Sequence, residues 1–199
     1  QVAFMIITII ANQRGLNDAA AVGIVEKIIS FLFLIPSSML STVSALGAQN
    51  IGAGKRQRAN ETLRYAVMIT VGFGIIVGIF MQFFASPVVA LFTDASDASG
   101  AEVVRLGGQY LRGYVWDCMF AGIHFSFSGY FCACGKSGIS FLHNIIAITL
   151  VRIACVYLTS TLFPDTLFPM GLATAAGSLL SAIICVVAFT ILNRKERQK

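Results

Sequence analysis

Charge is what this sequence has least of: Asp, Glu, Lys and Arg make up 12% of its 199 residues, about half the share usual in a soluble domain. A soluble fold of this length would have to hide several helices that are greasy on every side, and a core this small cannot do so. Proline occurs at only 4 places, each of which reads as a kink or a break. Catalytic motifs are missing: there is no nucleophile elbow, no metal-ligating pair on a helix and no phosphate-cradling loop ahead of a strand. Gly52-Ala-Gly-Lys55 lacks the spacing of a P-loop, so an ATP-driven pump would need its nucleotide domain elsewhere. The five cysteines, Cys118, Cys132, Cys134, Cys155 and Cys185, lie within or at the ends of apolar runs. That excludes an extracellular disulfide framework and suits small packing residues. Cys132-Ala-Cys134 has no second cysteine pair or histidine at ligand spacing, so no metal site is expected. The net charge of +5 sits in loops between apolar runs, with no basic, aromatic-interleaved surface for nucleic acid.

What is there is apolar sequence. Hydrophobic residues make up 57% of the chain and the mean hydropathy is +0.82. Crossing the hydrocarbon takes about twenty apolar residues in a helix, and the spans read as 2–11, 19–47, 65–84, 110–134, 139–163 and 170–192. The first is half length and opens at Gln1 without an initiator Met, a basic n-region or a cleavage site. It is not a signal peptide; it reads as a helix cut in the middle, and the chain as part of something longer. Pro36 predicts a kink near Leu32–Pro36. Ser86-Pro87 predicts the end of the third span, followed by a short interfacial helix at 88–92 and an acidic connection holding Asp94, Asp97 and Glu102. Gly135-Lys136-Ser137-Gly138, Pro164-Asp165-Thr166 and Pro169 mark the later breaks.

Basic loops are retained in the cytoplasm. One side collects Lys55, Arg56, Arg58, Arg64, Lys136, Arg194, Lys195, Arg197 and Lys199; the other holds Arg14, Arg105 and Arg112. The loop at 52–64, the turn at Lys136 and the C-terminus are therefore expected in the cytoplasm.

Ionisable groups at membrane depth are functional candidates by default. Asp117 shares a helical face with His124 and Ser128. Its carboxylate either loads and releases a proton or Na⁺ in an alternately opened cavity, or forms a buried ion pair with Arg152 or Lys27. His124 either titrates or is held by a neighbour. Lys27, Ser30, Ser37, Ser41 and Ser44 follow one side of the second span, which either lines water or packs closely with hydroxyls bonded across. Glu26 points about 100° round the helix from Lys27 and reads as a rim carboxylate or a second cavity acid. Arg152, with Asn144, Ile148, Cys155 and Thr159 on its face, stays charged and is expected to pair helices. Gly171, Thr174, Ser178, Ser181 and Cys185 form a small-residue seam for packing in the last span.

Three stretches then become specific. Ala20-Ala-Val-Gly-Ile-Val-Glu-Lys27, Phe33-Leu-Ile-Pro36 and Ala48-Gln-Asn-Ile-Gly-Ala-Gly-Lys55 resemble the second helix of a lobe in the multidrug and toxic compound extrusion (MATE) transporters. Gly129-Tyr-Phe-Cys-Ala-Cys-Gly-Lys136 resembles the end of the fourth helix of such a lobe, and Phe168-Pro-Met-Gly-Leu-Ala-Thr-Ala the entry to its last. The resemblance covers essentially the whole chain. It implies an all-α membrane protein: one six-helix transmembrane lobe, its first helix truncated, matching the C-terminal lobe of a two-lobe transporter in a cell (plasma or inner) membrane. It further implies a secondary antiporter, not an enzyme, that exports organic, often cationic, compounds against H⁺ or Na⁺ and uses no other cofactor. The partners implied are small organic substrates, the lipid bilayer and an N-terminal lobe of the same polypeptide. Some members use acids in the first and fourth helices of this lobe. Asp117 is the acid of the fourth helix here, about one turn earlier relative to Gly129, and 2–11 contains no carboxylate. Aligned on Pro36, Lys27 falls where some relatives carry Glu, with Glu26 beside it. Other members place the coupling acid in the other lobe, which leaves the coupling assignment open; within this chain Asp117 is the expected coupling or cavity residue, with His124, Lys27 and Glu26 as supporting lining. A flippase of lipid-linked saccharides from the same superfamily is the alternative, favoured by Lys27 and Arg152 if they face a cavity. A membrane-embedded enzyme or a non-transporting membrane subunit is a more distant one.

Overall fold

The computed structural model describes residues 2–197, with the side chains of residues 2, 148–150 and 195–197 outside that description. The expected side-chain roles of Ile148, Lys195 and Arg197, and Lys199 altogether, therefore lie outside the described residues. What is described is helical, without strands. The order is α1 (Val2–Arg14), α2 (Leu16–Leu32), α3 (Leu34–Gly52), α4 (Arg56–Ala90), α5 (Ala98–Tyr114), α6 (Asp117–Ala133), α7 (Ser137–Ile146), a π-helical turn (Ala147–Arg152), α8 (Ile153–Leu162) and α9 (Phe168–Arg197).

Three stretches are long and apolar enough to cross a membrane as helices: 16–52, 56–90 and 168–194. The first carries the expected break, at Phe33 between α2 and α3, three residues before Pro36. The other spans differ from the reading of the sequence. The third is much longer than 65–84, and Pro87 lies inside α4, which runs on to Ala90 without a separate helix at 88–92. Tertiary packing overrides the lost hydrogen bond: Val89 is fully buried, and a Cβ on Gly107 of α5 would meet it at 2.9 Å. The acidic connection is likewise shorter than expected. Asp97 accepts a 2.7 Å bond from the Gly100 N–H and so caps α5, which starts at Ala98 instead of 110. The fourth span is broken between Tyr114 and Asp117, and the fifth by the π-helical turn.

Both turns expected on the cytoplasmic side end their helices in the same way. Gly54 and Gly135 adopt φ of 73° and 71°, a region glycine enters without penalty. The Lys55 N–H then bonds the Asn50 carbonyl at 2.8 Å, and the Lys136 N–H bonds that of Phe131 at 2.8 Å. This Schellman closure satisfies carbonyls that the helix end would leave bare. At the opposite end Arg14 acts as a clasp. Its guanidinium donates to the carbonyls of Ser160, Phe163, Pro164 and Thr166 and to the Asp18 carboxylate, joining the α1–α2 corner to the α8–α9 loop.

The α5–α6 rod is central: α5 packs against α2, α4 and α9, and α6 against α3, α4 and α9. One buried cluster gathers Ile7, Val22, Val25, Tyr110, Tyr114 and Met170. A second, toward the Lys55 and Lys136 end, gathers Val43, Leu63, Phe127, Phe131 and Cys185. Outward, Ile76, Phe83, Phe31 and Leu158 are among the many large apolar side chains left exposed, the surface that lipid rather than water accommodates.

Candidate functional site

Asp117 is the first residue of α6, placed by the break that turns the fourth span. That position aims its carboxylate across the bundle toward the π-helical turn, whose last residue is Arg152. The Arg152 guanidinium donates to Asp117 Oδ2 at 2.6 Å. It also donates to Ser178 Oγ at 3.0 Å and to the Thr174 carbonyl at 3.2 Å. Asp117 is fully buried, and its Oδ1 has no partner among the described residues. Of the two cations expected to compete for this carboxylate, the fold supplies Arg152. The small-residue seam of α9 does more than pack: Ser178 is part of the ion-pair cluster.

The pair lines a cavity of about 240 Å³, walled by Phe4, Phe33, Phe125, His124, Ser178 and Ser181 among others. His124 is buried, its Nδ1 without a partner among the described residues, and it lines the same cavity as Asp117, so the Asp117–His124 stripe does face one space. Ser128, the third member of the stripe, turns instead to a residue that sequence reasoning passed over. His143 of α7 is fully buried; its Nε2 lies 3.0 Å from Ser128 Oγ and its Nδ1 2.6 Å from Ser181 Oγ. The two imidazoles stand edge to face, 5.9 Å between centroids. The available signal was a second histidine one turn into an apolar span, next to Asn144 on the Arg152 face.

The remaining candidates are elsewhere. Glu26 lines a separate niche of about 340 Å³ with Phe4, Met5, Thr8 and Ile9. Its Oε2 accepts a 3.3 Å bond from Thr8, and its Oε1 has no partner among the described residues. Lys27 is exposed and is absent from the walls of both spaces, because adjacent residues on a helix cannot share a face. Among the described residues, Ser30, Ser37 and Ser41 show no bond across helices. Ser30, Ser37 and Ser41 donate to carbonyls of their own helix and are exposed, and Ser37 alone of these reaches the cavity wall.

A family model described as MatE matches residues 1–158. The chain belongs to that family. Three solved structures show the same fold. Crystal structures of a MATE in complex with MaL6 and of a mutant of the Vibrio cholerae MATE transporter VcmN align with TM-scores of 0.89 and 0.87 at 16% and 17% identity, over 100% and 98% of this chain. The inward-facing form of a multidrug resistance MATE family transporter aligns with 0.85 at 15% identity over 100% of this chain. The chain spans 43–45% of the length of these three proteins. No curated protein matches it. MATE proteins are membrane transporters, and the exposed apolar belt of this chain accords with that setting.

Proposed function

We propose that this chain is one lobe, matching the C-terminal one, of a MATE antiporter that exports organic, often cationic, compounds in exchange for H⁺ or Na⁺. The observation that carries the reading is the buried Asp117–Arg152 pair facing an apolar, aromatic-walled cavity at the junction of α6, the π-helical turn and α9. Phe4, Phe33 and Phe125 line this cavity, aromatic rings of the kind that attract an organic cation. The cavity is smaller than the roughly 300–1,000 Å³ of sites for drug-sized ligands, which suits one wall of a site completed by a second lobe.

Asp117 and Arg152 together make a switch. With the carboxylate charged, the pair ties α6 to the π-helical turn and to Ser178 of α9. When a proton or Na⁺ takes the carboxylate, Arg152 loses its counter-charge and the clasp slackens, so that the lobe can bend and the cavity can open to the other side. The π-helical turn lends itself to this, since such turns inside α-helices recur at functional sites. Release of the ion restores the pair. In this scheme the basic turns at Lys55 and Lys136 lie in the cytoplasm, as does the C-terminus.

The flippase alternative needs a cationic cavity for pyrophosphate. Arg152 is neutralised by Asp117, and Lys27 is outside the cavity, so the antiporter is favoured. The test is export of cationic dyes by the full-length protein in a drug-sensitive host and in proteoliposomes with an imposed pH or Na⁺ gradient. Wild type is expected to export under one of the two gradients and Asp117→Asn to lose gradient-driven export at matched membrane levels. Undiminished export by Asp117→Asn removes this residue from coupling.

A further inference from the structure

His143 takes no part in the switch above, yet its placement suits proton transfer. It is fully buried and stands between two cavities. The hydroxyl on its Nδ1, Ser181, lines the space that holds Asp117 and Arg152. The hydroxyl on its Nε2, Ser128, lines a second space of about 330 Å³ near the Lys136 turn, with Ser140, Cys132 and Asn144, the last of which borders the first space as well. Ser140 Oγ in turn bonds the Ser128 carbonyl at 3.2 Å. A neutral imidazole donates through one nitrogen and accepts through the other, and a hydroxyl does both. The series Ser181, His143, Ser128 is therefore continuous from one cavity to the other. The charged and titratable groups near it are His124, 5.9 Å away between centroids, and the Asp117–Arg152 pair across the cavity; from α9 it meets the Ser181 hydroxyl, with the buried Cys185 thiol one turn further on.

We propose that Ser181, His143 and Ser128 form a proton relay carrying H⁺ between the Asp117 cavity and the cavity at the Lys136 end. The proposal rests on the antiport reading and adds to it that the coupling ion is H⁺. In one passage, water in the Asp117 cavity gives a proton to Ser181 Oγ as Ser181 passes its own to Nδ1. The imidazolium then releases the Nε2 proton to Ser128 Oγ, which gives up its own proton to water of the second cavity. One proton has entered and one has left, and the ring ends in the other tautomer. Uptake of a proton at Nε2 and loss of the Nδ1 proton, both with the water of a single compartment once the lobe bends, restores the first tautomer without net transfer.

The test is proton-driven export by the full-length protein in proteoliposomes, read beside binding of the same dye. In His143→Gln an amide replaces the ring and can still bond both hydroxyls, but it cannot pass a proton through. The expected result is a loss of proton-driven transport of about a hundredfold, the lower end of what a positioned proton-transfer group contributes, with dye affinity unchanged. Ser181→Ala and Ser128→Ala, which keep the ring, should each give a similar loss, and Ser181→Thr should recover most of the rate. Proton-driven rates within about twofold of wild type in His143→Gln, or in both alanine variants if the glutamine variant does not fold, overturn the relay. A wild-type protein driven by Na⁺ and not by a pH gradient also overturns it while leaving antiport standing. A wild type that transports under neither gradient removes both.

Discussion

The two candidate acids of this lobe, Asp117 and Glu26, are held in opposite ways. Asp117 is fully buried against Arg152, with Ser178 and the Thr174 carbonyl completing the guanidinium's contacts. Glu26 is only partly buried, has one 3.3 Å bond from Thr8 and has no ion-pair partner among the described residues. A charge that joins three segments controls their relative position, because each protonation change makes or breaks a contact between helices. A charge on the wall of its own niche can change state with little mechanical consequence. The difference explains why Asp117 is the stronger candidate for coupling although both carboxylates have an unpartnered oxygen.

Substitutions can break that contrast. The largest effect is expected from Arg152→Met, which leaves the Asp117 carboxylate buried without a counter-charge and should cost about 3–5 kcal/mol. A lowered unfolding temperature in detergent would register it. Adding Asp117→Leu to Arg152→Met should recover most of that loss, since two apolar groups of suitable shape replace a buried pair at little cost, while gradient-driven export stays absent. Ser178→Ala, which removes one hydrogen bond to the charged guanidinium, should destabilise by about 1.5–3 kcal/mol in the same assay. Glu26→Gln removes a charge without an ion-pair partner among the described residues and should move stability by no more than about 1 kcal/mol. A Glu26→Gln loss as large as that of Arg152→Met would abolish the contrast. Lys27→Gln, on an exposed side chain, should fall within about 0.5 kcal/mol of wild type.

The membrane-spanning character, the break ahead of Pro36 and the glycine-marked turn at Lys136 were legible because each follows from local chemistry: apolar run length, backbone restriction or a glycine break. Pro87 was misleading for the converse reason. A proline ends a helix only where packing does not hold it, and the approach of α5 at Gly107 is invisible in a linear reading. The start of α5 was written in the sequence as Asp97 ahead of a helix, but the acidic residues around it resembled a loop. At the site, periodicity placed Asp117 and His124 on one face, and the cost of burial gave the two candidate partners. Choosing Arg152 over Lys27, and bringing His143 from α7 between two serines of different helices, required three-dimensional proximity that spacing within one helix does not encode.

The most direct test of Asp117 as the group that exchanges the coupling ion is infrared difference spectroscopy of the full-length transporter as pH or Na⁺ is changed with and without a cationic dye. A carboxyl signal that responds to both the ion and the dye, vanishes in Asp117→Asn and persists in Glu26→Gln is the expected result. A signal that survives in Asp117→Asn and disappears in Glu26→Gln would contradict it.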